Sequence, residues 1–202
     1  MSADALEVRR FVGAEIATHV DTLATLRLDI FRTFPYLYDG DRAYEERYLH
    51  TYVRAPGSVA LIAFASDGSV VGASTGAPLV AEPDETRAPF VAAGEAVEHI
   101  FYCGESLVRP AYRGRGLYRR FLEGRETFAR ASGFVSCAFC AVERSSSHPA
   151  RPEGYEPLDA IWEAFGYRRR ADLVARYAWK DCGDALESEK PMTFWMKALS
   201  LE

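Results

Sequence analysis

Basic charge is in short supply in this chain: 24 Lys and Arg stand against 29 Asp and Glu, giving a formal net charge of -5. A dedicated nucleic-acid binder carries a clear basic excess, so that class is not expected, although residues 109–130 hold a local basic patch. Long apolar runs are missing as well. None approaches the length of a membrane span, so no membrane partner is expected. The start, Met1-Ser2-Ala3-Asp4, has no basic region followed by an apolar stretch, so no secretory signal is expected either. Four cysteines in 202 residues are too few for a disulfide framework, which makes the reducing cytoplasm the expected location. No internal repeat, low-complexity tract or linker interrupts the chain.

Two of the cysteines form Cys137-x-x-Cys140, a spacing used by redox and metal sites. The surrounding Phe134-Val135-Ser136-Cys137-Ala138-Phe139-Cys140-Ala141-Val142 reads as a buried strand, on which residues three apart point to opposite faces. No second Cys or His cluster has ligand spacing. These are therefore expected to be small buried hydrophobes, and no metal is expected.

What is present is an ordinary globular composition, 49% hydrophobic and 26% charged, of a length that suits one domain spanning 1–202. Ile16, Val20, Leu23, Ile30 and Phe31 recur at helical spacing and predict a first helix, stopped near Pro35. Tyr44, Tyr48 and Tyr52 lie one turn apart on a second, closed by Pro56-Gly57. The period then changes. Val59 to Ala65 and Val70 to Thr75 predict strands joined at Asp67-Gly68, a hairpin signal. Residues 78–97, with Pro78, Pro83 and Pro89, read as loop with some short helix. A strand over His99 to Val108, a helix carrying Leu117, Phe121, Leu122 and Phe128, and the Phe134 to Val142 strand form a crossover unit. After a polar loop, Pro157 suits the first turn of a helix with Leu158, Ile161, Trp162 and Phe165 on one face. Strands at Ala171 to Trp179 and Thr193 to Ala198 complete the order. The expected fold is α/β (α+β): a mixed, largely antiparallel sheet of six to seven strands with helices on both faces.

The segment with the clearest chemistry is Leu107-Val108-Arg109-Pro110-Ala111-Tyr112-Arg113-Gly114-Arg115-Gly116-Leu117-Tyr118-Arg119-Arg120. A strand enters, a glycine turn follows and a helix leaves. Free amides of the helix's first turn and its macrodipole favour phosphate there. Gly114 and Gly116 let backbone approach a bulky pyrophosphate, and Arg113, Arg115, Arg119 and Arg120 supply charge. A P-loop would need Gly-Lys-Ser/Thr, which does not occur. A dinucleotide fingerprint would need a third glycine where Arg119 stands.

The run Val108-Arg109-Pro110-Ala111-Tyr112-Arg113-Gly114-Arg115-Gly116 closely resembles V-x-P-x-Y-R-G-x-G, the acetyl-CoA loop of the GNAT superfamily of N-acetyltransferases. Trp162-Glu163-Ala164-Phe165-Gly166-Tyr167 resembles that superfamily's F-Y-x-x-x-G-F helix end, and the element order is similar throughout. The stretch from His148 to Leu158 and the ending Pro191-Met192-Thr193-Phe194-Trp195-Met196 resemble an uncharacterised bacterial subgroup. The resemblance implies acetyl-CoA or another short acyl-CoA as co-substrate, transfer to an amine of a small molecule or peptide, and room for a homodimer. It also implies that Leu107, Val108, Arg113, Gly114, Arg115, Gly116, Leu117, Tyr118 and Arg119 bind the cofactor.

Two positions depart from the pattern. The sixth motif position, usually Gly or Ala, is Tyr118. The tyrosine that often protonates the leaving thiolate would fall at 162, where this chain has Trp162. An indole cannot be a general acid, so an acyl-CoA-binding module without turnover stands as the alternative, with a nicotinamide oxidoreductase a distant third. Glu105, on the strand before the motif, is where the superfamily often places its general base, and it reads equally as a solvent-facing carboxylate; Glu98, Tyr102 and His148 are further candidates. Tyr36 and Tyr38, in the loop between the first two helices, are expected either to line the acceptor pocket or to pack as loop aromatics. Tyr44, Tyr48 and Tyr52 read as a packing stripe.

Overall fold

The computed structural model describes residues 6–200. Seven strands form one sheet: β1 (Glu7–Val12), β2 (Val59–Phe64), β3 (Val70–Pro78), β4 (Ile100–Val108), β5 (Ser136–Val142), β6 (Arg168–Trp179) and β7 (Ser188–Ala198). Their spatial order is β1-β2-β3-β4-β5-β7-β6. Every neighbouring pair is antiparallel except β4–β5, the strands joined by the expected crossover.

Alternation along each strand sends side chains to two helical layers. On one face, α1 (Val20–Phe31) and α2 (Arg42–Arg54) bury Leu23, Leu26, Leu49 and Tyr52 against Ile62, Ala73 and Leu107. On the other, α4 (Leu117–Ala131) buries Leu117, Phe121 and Leu122 against Val59, Leu61, Val71 and Phe101, and the short α5 (Asp159–Ala164) adds Trp162. Each large apolar side chain so buried contributes about 1.5–3 kcal/mol. Cys137 and Cys140 fall in cores on opposite faces, as their spacing predicts.

Several details differ from the sequence reading, among them the start of the last strand at Ser188 rather than Thr193. Strand β1 precedes the first helix; its Arg9 and Arg10 obscure an apolar pattern, as suits an edge strand, and it pairs with β2 from Glu7↔Phe64 to Val12↔Val59. The first helix is two pieces, a 3-10 segment (Gly13–His19) leading into α1. Residues 84–92 form a regular helix, α3, despite Pro89. Asp84 and Glu85 favour its first turn, and the fully buried Phe90 packs edge-on to Phe194 with ring centroids 4.6 Å apart, so tertiary burial outweighs a poor helix former. Helix α5 starts at Asp159, two residues beyond Pro157.

One irregularity positions the site. Between β3 and β4 the register runs Ser74↔Ser106 and then Gly76↔Cys103, so Gly104 and Glu105 together oppose Thr75. This is a β-bulge, which bends its strand and resets side-chain alternation. Gly104 faces Tyr52, whose hydroxyl and the Thr75 side chain occupy the space a Cβ would need. The next residue, Glu105, faces the same layer, towards Arg27 of α1. The bulge's carbonyls are held from the other layer: Arg125 of α4 donates Nη1 to the carbonyls of Glu105 (2.9 Å) and Thr75 (3.2 Å), and Ser74 Oγ donates to Glu105 at 2.8 Å. The β4–β5 ladder spans only Ile100↔Ser136 to Tyr102↔Ala138. Beyond Tyr102 the strands part, and a cleft opens between them.

Candidate active site

At the end of β4, Pro110–Tyr112 make a 3-10 turn and the chain crosses to α4 through Gly114 (φ +73°) and Gly116 (φ +77°). Both glycines are in the left-handed region, and a Cβ at either would meet no atom within 4 Å, so backbone conformation rather than crowding selects glycine. The Arg120 amide is the first of this stretch to enter the helical ladder, donating to the Gly116 carbonyl at 3.1 Å. Among the described residues, the amides from Gly114 to Arg119 donate to no backbone carbonyl, which leaves a cradle of donors at a helix N-terminus.

Arg113, Arg115 and Arg119 are exposed around this cradle. Arg115 rests over the Tyr112 ring and Arg119 over that of Phe165, each about 5.0 Å from the centroid. Arg120 turns away, donating to the Leu6 carbonyl at 2.8 Å, and ties α4 to the residue before β1. Leu117 is buried, so it offers the cradle only its amide.

The cleft between β4 and β5 holds about 580 Å³. Cys103, Gly104, Glu105 and Ser106 line one side and Phe139 to Arg144 the other, with Tyr118 of α4 and Trp162 of α5 facing in. Leu107 and Val108 lie on β4 past the lined stretch, and the Leu107 side chain is buried against α1 and α2. The two departures from the family pattern touch each other: Trp162 Nε1 donates to the Tyr118 hydroxyl at 2.6 Å. Burial raises the Tyr118 pKa, and the indole's hydrogen bond partly opposes that rise. Tyr118 is therefore a protonated phenol at neutral pH, oriented by the residue that replaces the expected tyrosine.

A second cavity, about 1010 Å³, lies on the α1–α2 side of the sheet and meets the cleft at Gly104, Glu105 and Cys140. Both Tyr36 and Tyr38 line it. The Tyr36 carbonyl is pinned by Arg144 Nη2 (2.7 Å) and Trp179 Nε1 (3.0 Å), and Arg144 in turn makes a two-pronged ion pair with Asp181. This network ties the α1–α2 loop to β5 and to the turn after β6. At the junction, Glu105 gives one oxygen to Arg27, which also pairs with the fully buried Glu45; the other, Oε1, is buried without a partner. Burial works against the Arg27 charge, but Glu105, Tyr48 and Glu45 hold its pKa well above the usual value.

Burial also raises the phenols of Tyr36, Tyr38, Tyr48, Tyr52 and Tyr102, so none is a phenolate at neutral pH. It pushes the Cys140 thiol, which faces both cavities, up to about 12. The nucleophilic form of that cysteine is scarce, and carboxylates are the available bases.

Of the other candidates, Tyr102 lines the second cavity, its hydroxyl 3.2 Å from Cys140 Sγ. Glu98 is exposed in the 3-10 turn before β4 and lines neither cavity. His148 packs on Phe34 at 5.7 Å in the polar loop and also lines neither. The sequence reading missed Arg27, Glu45, Glu82, Arg125 and Arg144. One signal was available: Glu45 shares a helical face with Tyr48, Leu49 and Tyr52, unusual company for a carboxylate. Among the described residues no group of three or more His, Cys, Asp or Glu could hold a metal ion, and no helix is long and apolar enough to cross a membrane.

No protein-family model matches the chain, and no functionally curated protein matches it. Solved structures do. A GCN5-related N-acetyltransferase from Kribbella flavida aligns over 96% of this chain and 98% of its own, with TM-score 0.58 and 19% identity. The ribosomal-protein-alanine N-acetyltransferase of Brucella melitensis aligns over 96% and 99%, with TM-score 0.62 and 17% identity. The protein yncA of Salmonella typhimurium, solved with its cofactor acetyl-CoA, aligns over 97% and 95%, with TM-score 0.59 and 14% identity. Likeness at such identities speaks for architecture, and here it extends from end to end: the chain has the fold of the GNAT N-acetyltransferases.

Proposed function

We propose that this protein is an acyl-CoA-dependent N-acyltransferase that moves an acetyl or other short acyl group directly to the amine of a small-molecule or peptide acceptor. The observation that carries the reading is the meeting of two cavities at the β4 bulge. One is bordered by Tyr118, in the first turn of the helix whose N-terminal amides form a cradle suited to a pyrophosphate, and the other is lined by buried carboxylates and aromatics suited to an amine. The solved neighbour holding acetyl-CoA supports the choice of co-substrate.

Acyl-CoA, when bound, supplies an activated thioester. The chain's own residues do the rest. The amides of Gly114 to Arg119, with Arg113, Arg115 and Arg119, hold phosphate oxygens. The edge of β4 beyond Tyr102, free of β5, faces the cleft where the thioester arm would lie, with Leu107 and Val108 continuing it towards the cradle. Glu105, held by Arg27, presents its unpartnered Oε1 to the acceptor ammonium where the cavities join. Tyr118, oriented by Trp162, gives its proton to the leaving sulfur. Placing two reactants side by side supplies much of the rate without a covalent enzyme intermediate, which agrees with the suppressed Cys140 thiolate.

The deciding experiment pairs ligand-dependent melting with turnover. Coenzyme A should raise Tm, since a ligand bound only to the folded state stabilises it, and acetyl-CoA should be consumed with one or more amines of a broad panel. Binding without transfer to any amine would favour the acyl-CoA-binding module. Unchanged melting with CoA, but a shift with NAD or ATP, would overturn the reading altogether.

A further inference from the structure

The larger cavity holds a third buried carboxylate. Glu82 sits between β3 and α3, just after the 3-10 turn Leu79–Ala81, in the segment read from sequence as loop with some short helix. It is only 6% exposed and lines the same cavity as Glu45 and Glu105. Those two share Arg27, whereas among the described residues no Lys or Arg forms an ion pair with Glu82. Its company is phenolic: the Tyr52 side chain of α2 favours its charged form, and the Tyr52 hydroxyl lies 2.8 Å from Tyr48 Oη and against the Gly104 backbone of the bulge.

We propose that Glu82 is the group that takes the proton from the acceptor's ammonium, and that the acceptor is therefore a primary amine entering as a cation, with Glu105 fixing its nitrogen at the bulge. The inference rests on the acyltransferase reading. Three buried carboxylates facing one buried guanidinium leave uncompensated negative charge, which an ammonium neutralises and a neutral or anionic acceptor does not. The division of labour follows from the partners. A carboxylate locked to arginine holds cations well and protons poorly, while one without a cation of its own does the reverse.

Burial raises the Glu82 pKa to about 7, the nearby Glu105 charge adding to the rise while the Tyr52 hydroxyl and Arg27 oppose it. The other titratable groups around it are Tyr48 of α2, Tyr102 of β4, Cys140 of β5 and Tyr177 of β6. All four have raised pKa values, so none of them changes charge near neutrality. A base that titrates near the working pH is the most effective kind.

An N–H bond of the ammonium breaks and an O–H bond forms on Glu82, freeing the lone pair that attacks the thioester carbon. As the C–S bond breaks, Tyr118 protonates the sulfur. The second N–H proton is lost as the amide forms and restores the phenol through the junction. Glu82 then returns its proton to solvent.

The test uses the full chain and Glu82→Gln, an isosteric change, assayed with acetyl-CoA and a panel of primary amines that includes aliphatic diamines and arylalkylamines. Turnover near pH 7 should fall roughly 10²–10⁴-fold with CoA affinity unchanged, and the rising limb of the wild-type rate profile near pH 7 should disappear. Melting gives a readout that needs no acceptor. A carboxyl whose folded pKa is raised contributes stability at low pH and loses it as pH climbs through 7. Glu82→Gln should therefore raise Tm more at pH 8 than at pH 5. A variant that keeps the rising limb, or shifts Tm equally at both pH values, overturns the assignment and leaves the acyltransferase reading standing. A wild-type protein that acetylates no amine removes both.

Discussion

Replacing Arg27 by methionine tests the polar junction most severely. Its guanidinium lies between Glu45 and Glu105, whose side chains are 0% and 3% exposed, and it is stacked 4.4 Å from the Tyr48 ring centroid. Methionine keeps the stem's volume and removes the charge, leaving two carboxylates buried without a counterion. Breaking one buried pair in this way costs roughly 3–5 kcal/mol. At about 2–4 °C per kcal/mol for a domain of this size, that cost amounts to a fall in Tm of roughly 6–20 °C. The loss should depend on pH. A buried carboxylate left without a counterion is penalised only in its charged form, so the Tm deficit should be larger at pH 8 than at pH 5. The assay is a set of thermal melts of wild type, Arg27→Met and Arg27→Met/Glu45→Gln/Glu105→Gln. The triple variant should recover most of the loss. A deficit under about 1 kcal/mol, the range of an exposed pair, and flat across pH would show that the junction is wet and not an ion-paired core.

Four further outcomes follow from the cradle and the junction. Arg113→Ala and Arg119→Ala should each weaken CoA binding by roughly 1–3 kcal/mol while leaving affinity for pantetheine, which lacks the pyrophosphate, unchanged by calorimetry. Tyr118→Phe should lower turnover without weakening CoA binding. Trp162→Phe removes the hydrogen bond that opposes the rise in the Tyr118 pKa, so the alkaline limb of the rate profile should move to higher pH; a limb at the wild-type position would separate Trp162 from the proton donor. In Gly116→Ala the left-handed backbone at φ +77° becomes strained, costing about 1 kcal/mol and weakening CoA binding, both measurable in one set of ligand-dependent melts.

The parts legible in the sequence were those encoded over short stretches. The Asp67-Gly68 hairpin, the crossover from β4 through α4 to β5 and the glycine cradle each occupy consecutive residues, and each is where their pattern puts it. Strand β1 was hidden because Arg9 and Arg10 interrupt its pattern at an edge, and α3 because Pro89 argues locally against a helix that Phe90 secures from a distance. The larger cavity was least legible. Arg27, Glu45, Glu82 and Glu105 come from four separate segments, and only folding gathers them. Glu105 itself was named from its strand, yet its direction was not readable, since strict alternation from Phe101 and Cys103 would send it under α4.

That last point turns the extra residue in β4 into something like a phase shifter. Upstream of it, odd-numbered positions look towards α4; downstream, they look towards α1 and α2, as Leu107 does. The sheet's hydrophobic bookkeeping is correct on both sides only with the shift in place. Deleting Gly104 would not simply shorten a strand. It would force a choice between returning Glu105 to the apolar α4 layer and sliding Leu107-Val108, with the cradle behind them, by one position against β3. Residue count between Tyr102 and Ser106 is thus a quantity in its own right, setting which face of the sheet the carboxylate looks towards.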